Sequence, residues 1–461
     1  MIDMRTAAFG LVLASASLGS AMGAVSAEEA AQIGKTLTPW GAELAGNKEG
    51  TIPAYTGEAI KAPASFKPGS GYWPDPFADD KPLFRIDAKN MAQYADKLSE
   101  GTKLLLTRYP DTYYLNVYPS RRPIRYPDWV QKNSVRNATQ CKALHEGLAV
   151  DESCRGGVPF PIPKTGMEVM WNAILSYAGD GSFHVKGNRS WMVDSSGTAM
   201  VSGEIRAWEE RPYWQVNHKE RAGSNVAVRS ANVTIAPARR AGEAFTIEDY
   251  LNPMENARKA LSYAPGQRRI KAAPELSYDT PSSQTGGLSY FDEIYLFYGK
   301  MDRFDFKLVG KKEMYIPYNS FKTTQACVAP TELLGKHHLN PECERWELHR
   351  TFHVEGTLKP GMRHGQPKKT WYWDEDSKAV GLYDAWDQGG NLFRSGQTYG
   401  FFLYDHGIWY TPTTALYDFN KRGYTYNNES VSGNRGGYVY SDKPVAPKDV
   451  NFESFVNSIL Q

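Results

Sequence analysis

From Ser182 to about Tyr440 the chain breaks into short runs of alternating side chains, and this pattern constrains the fold more than any other feature. The runs are Ser190–Asp194, Thr198–Trp208, Ser224–Ile235, Phe304–Tyr315, Arg345–Leu358, Lys369–Asp374, Ala379–Trp386 and Tyr399–Tyr404, with Gly, Asp, Asn and Ser between them. A period of two punctuated by turn residues predicts a meandering antiparallel sheet or barrel. Within it, Pro265-Gly266 joins Lys259–Ala264 to Arg268–Ala273 as a hairpin, and the apolar-aromatic stretch Leu288–Tyr298 reads as sheet scaffold.

Helical periodicity is confined to the flanks. Asp87 reads as an N-cap, and Met91, Tyr94, Ala95 and Leu98 follow at helical spacing, predicting a helix over Asp87–Tyr109. Pro127–Ala143 reads as a second helix. Met167, Met170, Trp171, Ile174 and Leu175 give a third, Gly166–Tyr177, and Phe452, Phe455, Val456 and Ile459 a last one. Gly50–Pro82, with its many prolines, reads as a long surface loop. The class is α+β: a curved antiparallel sheet with the two helices of single apolar stripe, Asp87–Tyr109 and Gly166–Tyr177, packed on its concave side.

The first 27 residues carry the marks of an export signal: Met4-Arg5, the apolar run Ala7–Leu18, and a small-residue site at Val25-Ser26-Ala27. The expectation is a soluble periplasmic protein beginning near Glu28 and running as one domain over residues 28–461. In that compartment four cysteines suggest disulfides. Cys141 with Cys154 and Cys327 with Cys343 each close one polar loop, and each local bridge would contribute about 2–4 kcal/mol. A net charge of +2 with both signs scattered gives no reason to expect nucleic acid. The aromatic content, 13% with 28 Tyr, suits either a β-rich core or a ligand-lined interior.

No GxSxG, HExxH, strand-linked GxGxxG or P-loop is present, so no catalytic residue, cofactor or metal is assigned. His349 and His353 cannot share a metal on one strand, because i and i+4 lie about 13 Å apart there; they read as solvent-face histidines, and His337-His338 as surface polarity. Asp374-Glu375-Asp376 reads as a hairpin turn rather than a calcium site. Trp346, Leu348, Arg350, Phe352 and Val354 share one strand face, which should be buried, and Trp371 and Trp373 share another. With Met170 and Trp171 these are the candidate ligand-lining residues. Arg350 is either a head-group contact or half of a structural ion pair.

Four motifs closely resemble a bacterial family catalogued as domain of unknown function 1329: LTPWGAELAGNKEGTIPAYTG at 37–57, APGQRRIKAAPELSYDT at 264–280, DRFDFKLVGKKEMYIPYN at 302–319 and ERWELHRTFHVEGTLKPGMRH at 344–364. That family is similar to the periplasmic lipoprotein carriers LolA and LolB. The resemblance implies an unclosed, strongly curved barrel, an apolar cavity for a lipid-like ligand, and a partner such as a resistance-nodulation-division transporter or an outer-membrane protein. A carrier without enzymatic activity is the leading expectation. An envelope hydrolase acting on lipid or glycan, or a glycan-binding β module, is the alternative.

Overall fold

The computed structural model describes residues 25–460 apart from Ala222 and 431–436. Most of the expected export signal, including Ala7–Leu18, lies outside the described residues, as does the side chain of Ile459. Ser26, inside the expected cleavage site, caps the one-turn helix α1 (Ala27–Ala30). Among the described residues no helix is long and apolar enough to cross a membrane.

One open sheet of sixteen strands organises the molecule. Its first two strands are β1 (Phe84–Ile86) and β2 (Leu115–Val117); a separate small hairpin is β3 (Ala143–Leu144) with β4 (Ala149–Val150). The meander begins with β5 (Ser182–Val193), β6 (Ala199–Glu210), β7 (Val226–Ala236), β8 (Ala244–Tyr250), β9 (Lys259–Ala264) and β10 (Arg269–Ala272). It resumes with β11 (Phe304–Pro317), β12 (Trp346–Leu358), β13 (Lys368–Asp374), β14 (Val380–Trp386), β15 (Leu392–Leu403), β16 (Ile408–Asp418), β17 (Gly423–Glu429) and β18 (Tyr438–Ser441). The two halves join where β17 and β18 both pair with β5, and the hairpin β9–β10 forms one edge. The sheet does not close into a barrel. All pairings are antiparallel except the single bridge Trp346↔Val117 between β12 and β2.

The helices sit where apolar stripes need partners, with one break the sequence reading did not foresee. Asp87–Tyr109 is not continuous. A 3₁₀ segment spans Met91–Lys97, the chain extends at Leu98, and α2 (Glu100–Arg108) restarts with Ser99 accepting from the Thr102 N–H. Ser99 and the buried Asp384, which takes the Gly101 N–H at 3.0 Å, together fix the new start. The other helices are α3 (Asp128–Gln140), α4 (Gly166–Ile174), α5 (Pro330–Leu333), α6 (Pro447–Val450) and α7 (Phe452–Leu460).

Strand alternation separates the coverings onto both faces. Asp384 pairs with Ser395 and then Tyr417 across the sheet, while Trp371, Tyr383 and Gly396 form the neighbouring row, which points the other way. Gly101 of α2 presses on Asp384 and Ser395, and the second cysteine loop covers the same face, with Tyr424 donating to the Gly335 carbonyl. On the opposite face Leu296 approaches Gly396, and α4 abuts the Phe306 backbone, so α2 and α4 cover opposite faces and do not both pack on the concave side as expected. The disulfides are Cys141–Cys154 and Cys327–Cys343, one in the covering of each face. A Cβ at Gly101 would lie 2.0 Å from Ser395 Oγ and 2.2 Å from Asp384 Oδ1. Gly101→Ala should therefore cost about 1–3 kcal/mol by overpacking, although alanine is the better helix former. Urea titration of both proteins checks this; equal midpoints would show that α2 does not dock so closely.

Candidate functional site

The stretch Leu288–Tyr298 is not a strand. It forms an irregular 3₁₀ turn over Phe291–Leu296, with left-handed φ at Tyr295 (51°) and Leu296 (63°), and lies across the sheet face that carries Trp371. The Trp371 indole donates to the Leu296 carbonyl at 2.9 Å, and Phe297 packs edge-on against Trp371 and Phe306. This segment and α4 leave three voids above the sheet, of about 100, 60 and 100 Å³.

Tyr298 is a wall of all three. The first void is bounded by Leu148, Trp171, Ile174, Met301 and the Arg258–Asp249 pair. Its side near Leu148 is formed by the first cysteine loop, pinned by the Trp171 indole donating to the Gly147 carbonyl at 2.8 Å. The second lies between Ile174, Phe297, Trp373 and Trp409, and the third between Trp208, Phe245, Ile247 and Tyr295. Phe183 and Tyr410, stacked at 4.3 Å between ring centres, border both of the latter.

Two polar corners interrupt the apolar lining. Arg258 makes a two-pronged pair with Asp249 at 2.6 and 2.8 Å, donates to the Leu276 and Tyr298 carbonyls, and stands over the Tyr298 ring. At the other corner Tyr295 donates to Glu209 at 3.2 Å, and Arg211 contacts the same carboxylate while donating to the Ile174 and Ser176 carbonyls. Burial raises both tyrosine hydroxyls, with Glu209 opposing ionisation of Tyr295 and Asp249 that of Tyr298. They remain neutral groups able to donate or accept. Small, mostly apolar spaces with a few fixed polar groups suit binding of a hydrophobe with a polar end.

The residues singled out from the sequence are not gathered into one cavity. Trp171 and Trp373 line the first and second voids. Trp346, Leu348, Val354, Trp371 and Met170 are fully packed core, and Phe352 borders a separate shallow groove of about 250 Å³ with Leu37, Pro161 and Leu308. Arg350 is committed elsewhere: it donates to the Ala45 carbonyl at 3.0 Å and pairs with Glu43 at 3.4 Å and Glu375 at 3.6 Å. The ion-pair alternative for Arg350 is the one the structure realises. His349 is not on a solvent face but 1% exposed, stacked on Tyr318, because the β12–β13 hairpin folds the Asp374 turn over it. His338 is likewise buried, bonded to Thr112 and packed on Tyr113. The sequence reading missed Tyr298, Tyr295, Phe183, Tyr410 and Arg258. One signal was available: Leu288–Tyr298 lacks the alternation of a strand.

Comparison with known proteins adds a family. The model of family DUF1329, described as a protein of unknown function, matches residues 85–454. Uncharacterized protein PA3922 of Pseudomonas aeruginosa is 39% identical over 403 residues, 86% of each chain. Solved structures similar to this chain include an outer membrane lipoprotein-sorting protein domain from Vibrio parahaemolyticus (12% identity, 60% of this chain and 93% of that one, TM-score 0.40). A DUF1329 family protein from Desulfovibrio piger (11%, 60% and 92%, TM-score 0.39) and a LolA superfamily protein from Nitrosomonas europaea (10%, 63% and 98%, TM-score 0.36) are similar to it as well. The family match across 85–454 and the 39% identity over most of both chains together establish that this chain belongs to the DUF1329 family.

Proposed function

We propose that the protein is a non-enzymatic carrier that shelters a hydrophobic, lipid-like molecule in the envelope. The observation that carries this reading is the row of three voids sharing Tyr298 as a common wall. Each larger void is of the order of the cavity that admits a benzene ring, about 150 Å³. Because Tyr298 lines all three, a shift of its ring would connect them, and the joined space would take one chain. Burial of that chain would gain about 0.8 kcal/mol per CH₂. Arg258 in the wall of the first void and Arg211 in the wall of the second place positive charge beside its polar terminus. The apolar run Ala7–Leu18 followed by Val25-Ser26-Ala27 supports export to the periplasm, where a transporter or outer-membrane protein would exchange the ligand.

Native mass spectrometry of protein purified from the envelope should find a lipophilic adduct released on denaturation. A fluorescent fatty acid should bind in competition with it. Tyr298→Ala, which opens the partition, should favour longer chains over shorter ones relative to wild type. A protein that holds no hydrophobe, admits none, and instead turns over esters or glycosides would replace this reading with the hydrolase one.

A further inference from the structure

Away from the voids, the β12–β13 hairpin brings His349, Asp374 and Asp376 together on the other sheet face. One ligating atom from each lies within 4.8 Å of the others, and all three side chains are buried. We propose that these residues form a binding site for one first-row divalent cation, of the zinc or manganese type.

Glu347 accepts from Arg345 at 2.6 Å, from Asn319 at 3.0 Å and from the Arg121 N–H at 2.7 Å, which fixes it as an ionised acceptor. Its Oε2 lies 3.0 Å from His349 Nε2, so Nε2 donates to Glu347 and Nδ1 is the ring nitrogen turned toward Asp374. Nδ1 faces Asp374 Oδ1 at 3.7 Å, too far for a hydrogen bond. Asp374 Oδ2 takes three donors, from the Tyr318 hydroxyl and from the N–H and hydroxyl of Ser377. Oδ1 takes none, although Asp374 is 2% exposed. A buried carboxylate oxygen without a hydrogen-bond donor, facing an imidazole nitrogen too distant to bond it, leaves a place where a cation would satisfy both. A carboxylate behind a histidine, a second carboxylate in front and a stacked ring holding the imidazole are the surroundings a metal-bound histidine needs. Asp376 brings the third donor. Both its oxygens are paired with Arg122, at 2.8 and 2.9 Å, so its charge is shared and Asp374 is the stronger oxygen ligand. One imidazole with carboxylate oxygens suits zinc or manganese better than calcium, which takes oxygen alone.

The full chain is dialysed against EDTA, incubated with zinc or manganese chloride, desalted and analysed for metal by plasma mass spectrometry, with thermal melts in parallel. Wild type should retain about one equivalent and melt higher than the EDTA-treated protein. His349→Ala/Asp374→Asn should retain none, and Glu347→Gln should bind about 10–100-fold more weakly. Far-UV circular dichroism confirms that each variant is folded. Should the double variant fail to fold, the wild-type stoichiometry and the Glu347→Gln affinity decide. Wild-type protein that keeps neither metal and melts unchanged would overturn the proposal. So would a folded double variant retaining as much metal as wild type.

Discussion

Glu344→Gln should make the protein more stable, by an amount that grows from about pH 4.5 and is complete above about pH 7. Glu344 is fully buried between β11 and β12, and its carboxyl is pushed up to about 7 by burial, opposed in part by the Tyr399 hydroxyl and the Trp346 indole. The ionisable groups nearest it are Tyr113, Tyr399, Tyr417 and Tyr424, all neutral, with His338 beyond Tyr113; among the described residues no cation pairs with it. Below about pH 4.5 the carboxyl is protonated in both folded and unfolded chains and costs nothing. Between about 4.5 and 7 the unfolded chain releases the proton while the folded one keeps it, so stability falls as pH rises. Above pH 7 the full cost, about 3 kcal/mol, is present. Glutamine keeps the acceptor for Tyr399 and never ionises. Melts of both proteins at pH 5 and pH 8 should differ by little at the first and by the full gain at the second. Equal melting at pH 8 would mean that Glu344 is not held without a counter-charge.

Arg258→Leu should be the most damaging single change near the voids. Its side chain is 5% exposed and satisfies Asp249 and two backbone carbonyls at once. Removing it leaves a largely buried carboxylate and two acceptors without donors, a loss of about 3–5 kcal/mol. The double change Arg258→Leu/Asp249→Leu should recover much of that loss, since the unpaired charge leaves as well. Denaturant midpoints measure both. A single variant within about 1 kcal/mol of wild type would show that water already reaches the pair.

The sheet was legible because alternation is local: the runs from Ser190 to Tyr404 all lie in or across strands, and the Lys259–Ala273 hairpin pairs Ala264 with Arg269. The disulfides were legible because each closes a short loop. The voids were not. Tyr298 meets Phe183 and Tyr410 only because β5 lies beside β17 and β17 beside β16, an order that periodicity does not encode. Tyr295 and Leu296 turn left-handed, so a stretch with strand-like composition crosses the sheet instead of joining it. His349 was measured against His353 along one strand, whereas its partners come from the turn after the next strand.

The pairing of β5 with β17 and β18 also sets an order of assembly. Val193 lies opposite Tyr424 and Phe183 opposite Tyr440, so β5 keeps one ladder of N–H and C=O groups open until almost the whole chain has been delivered. The β6–β10 meander can form earlier, but its inner border waits on the last strands to emerge. Such distant pairing makes folding slow and leaves an adhesive border exposed meanwhile. Truncation before Gly423 would remove both late partners and leave that border of β5 bare.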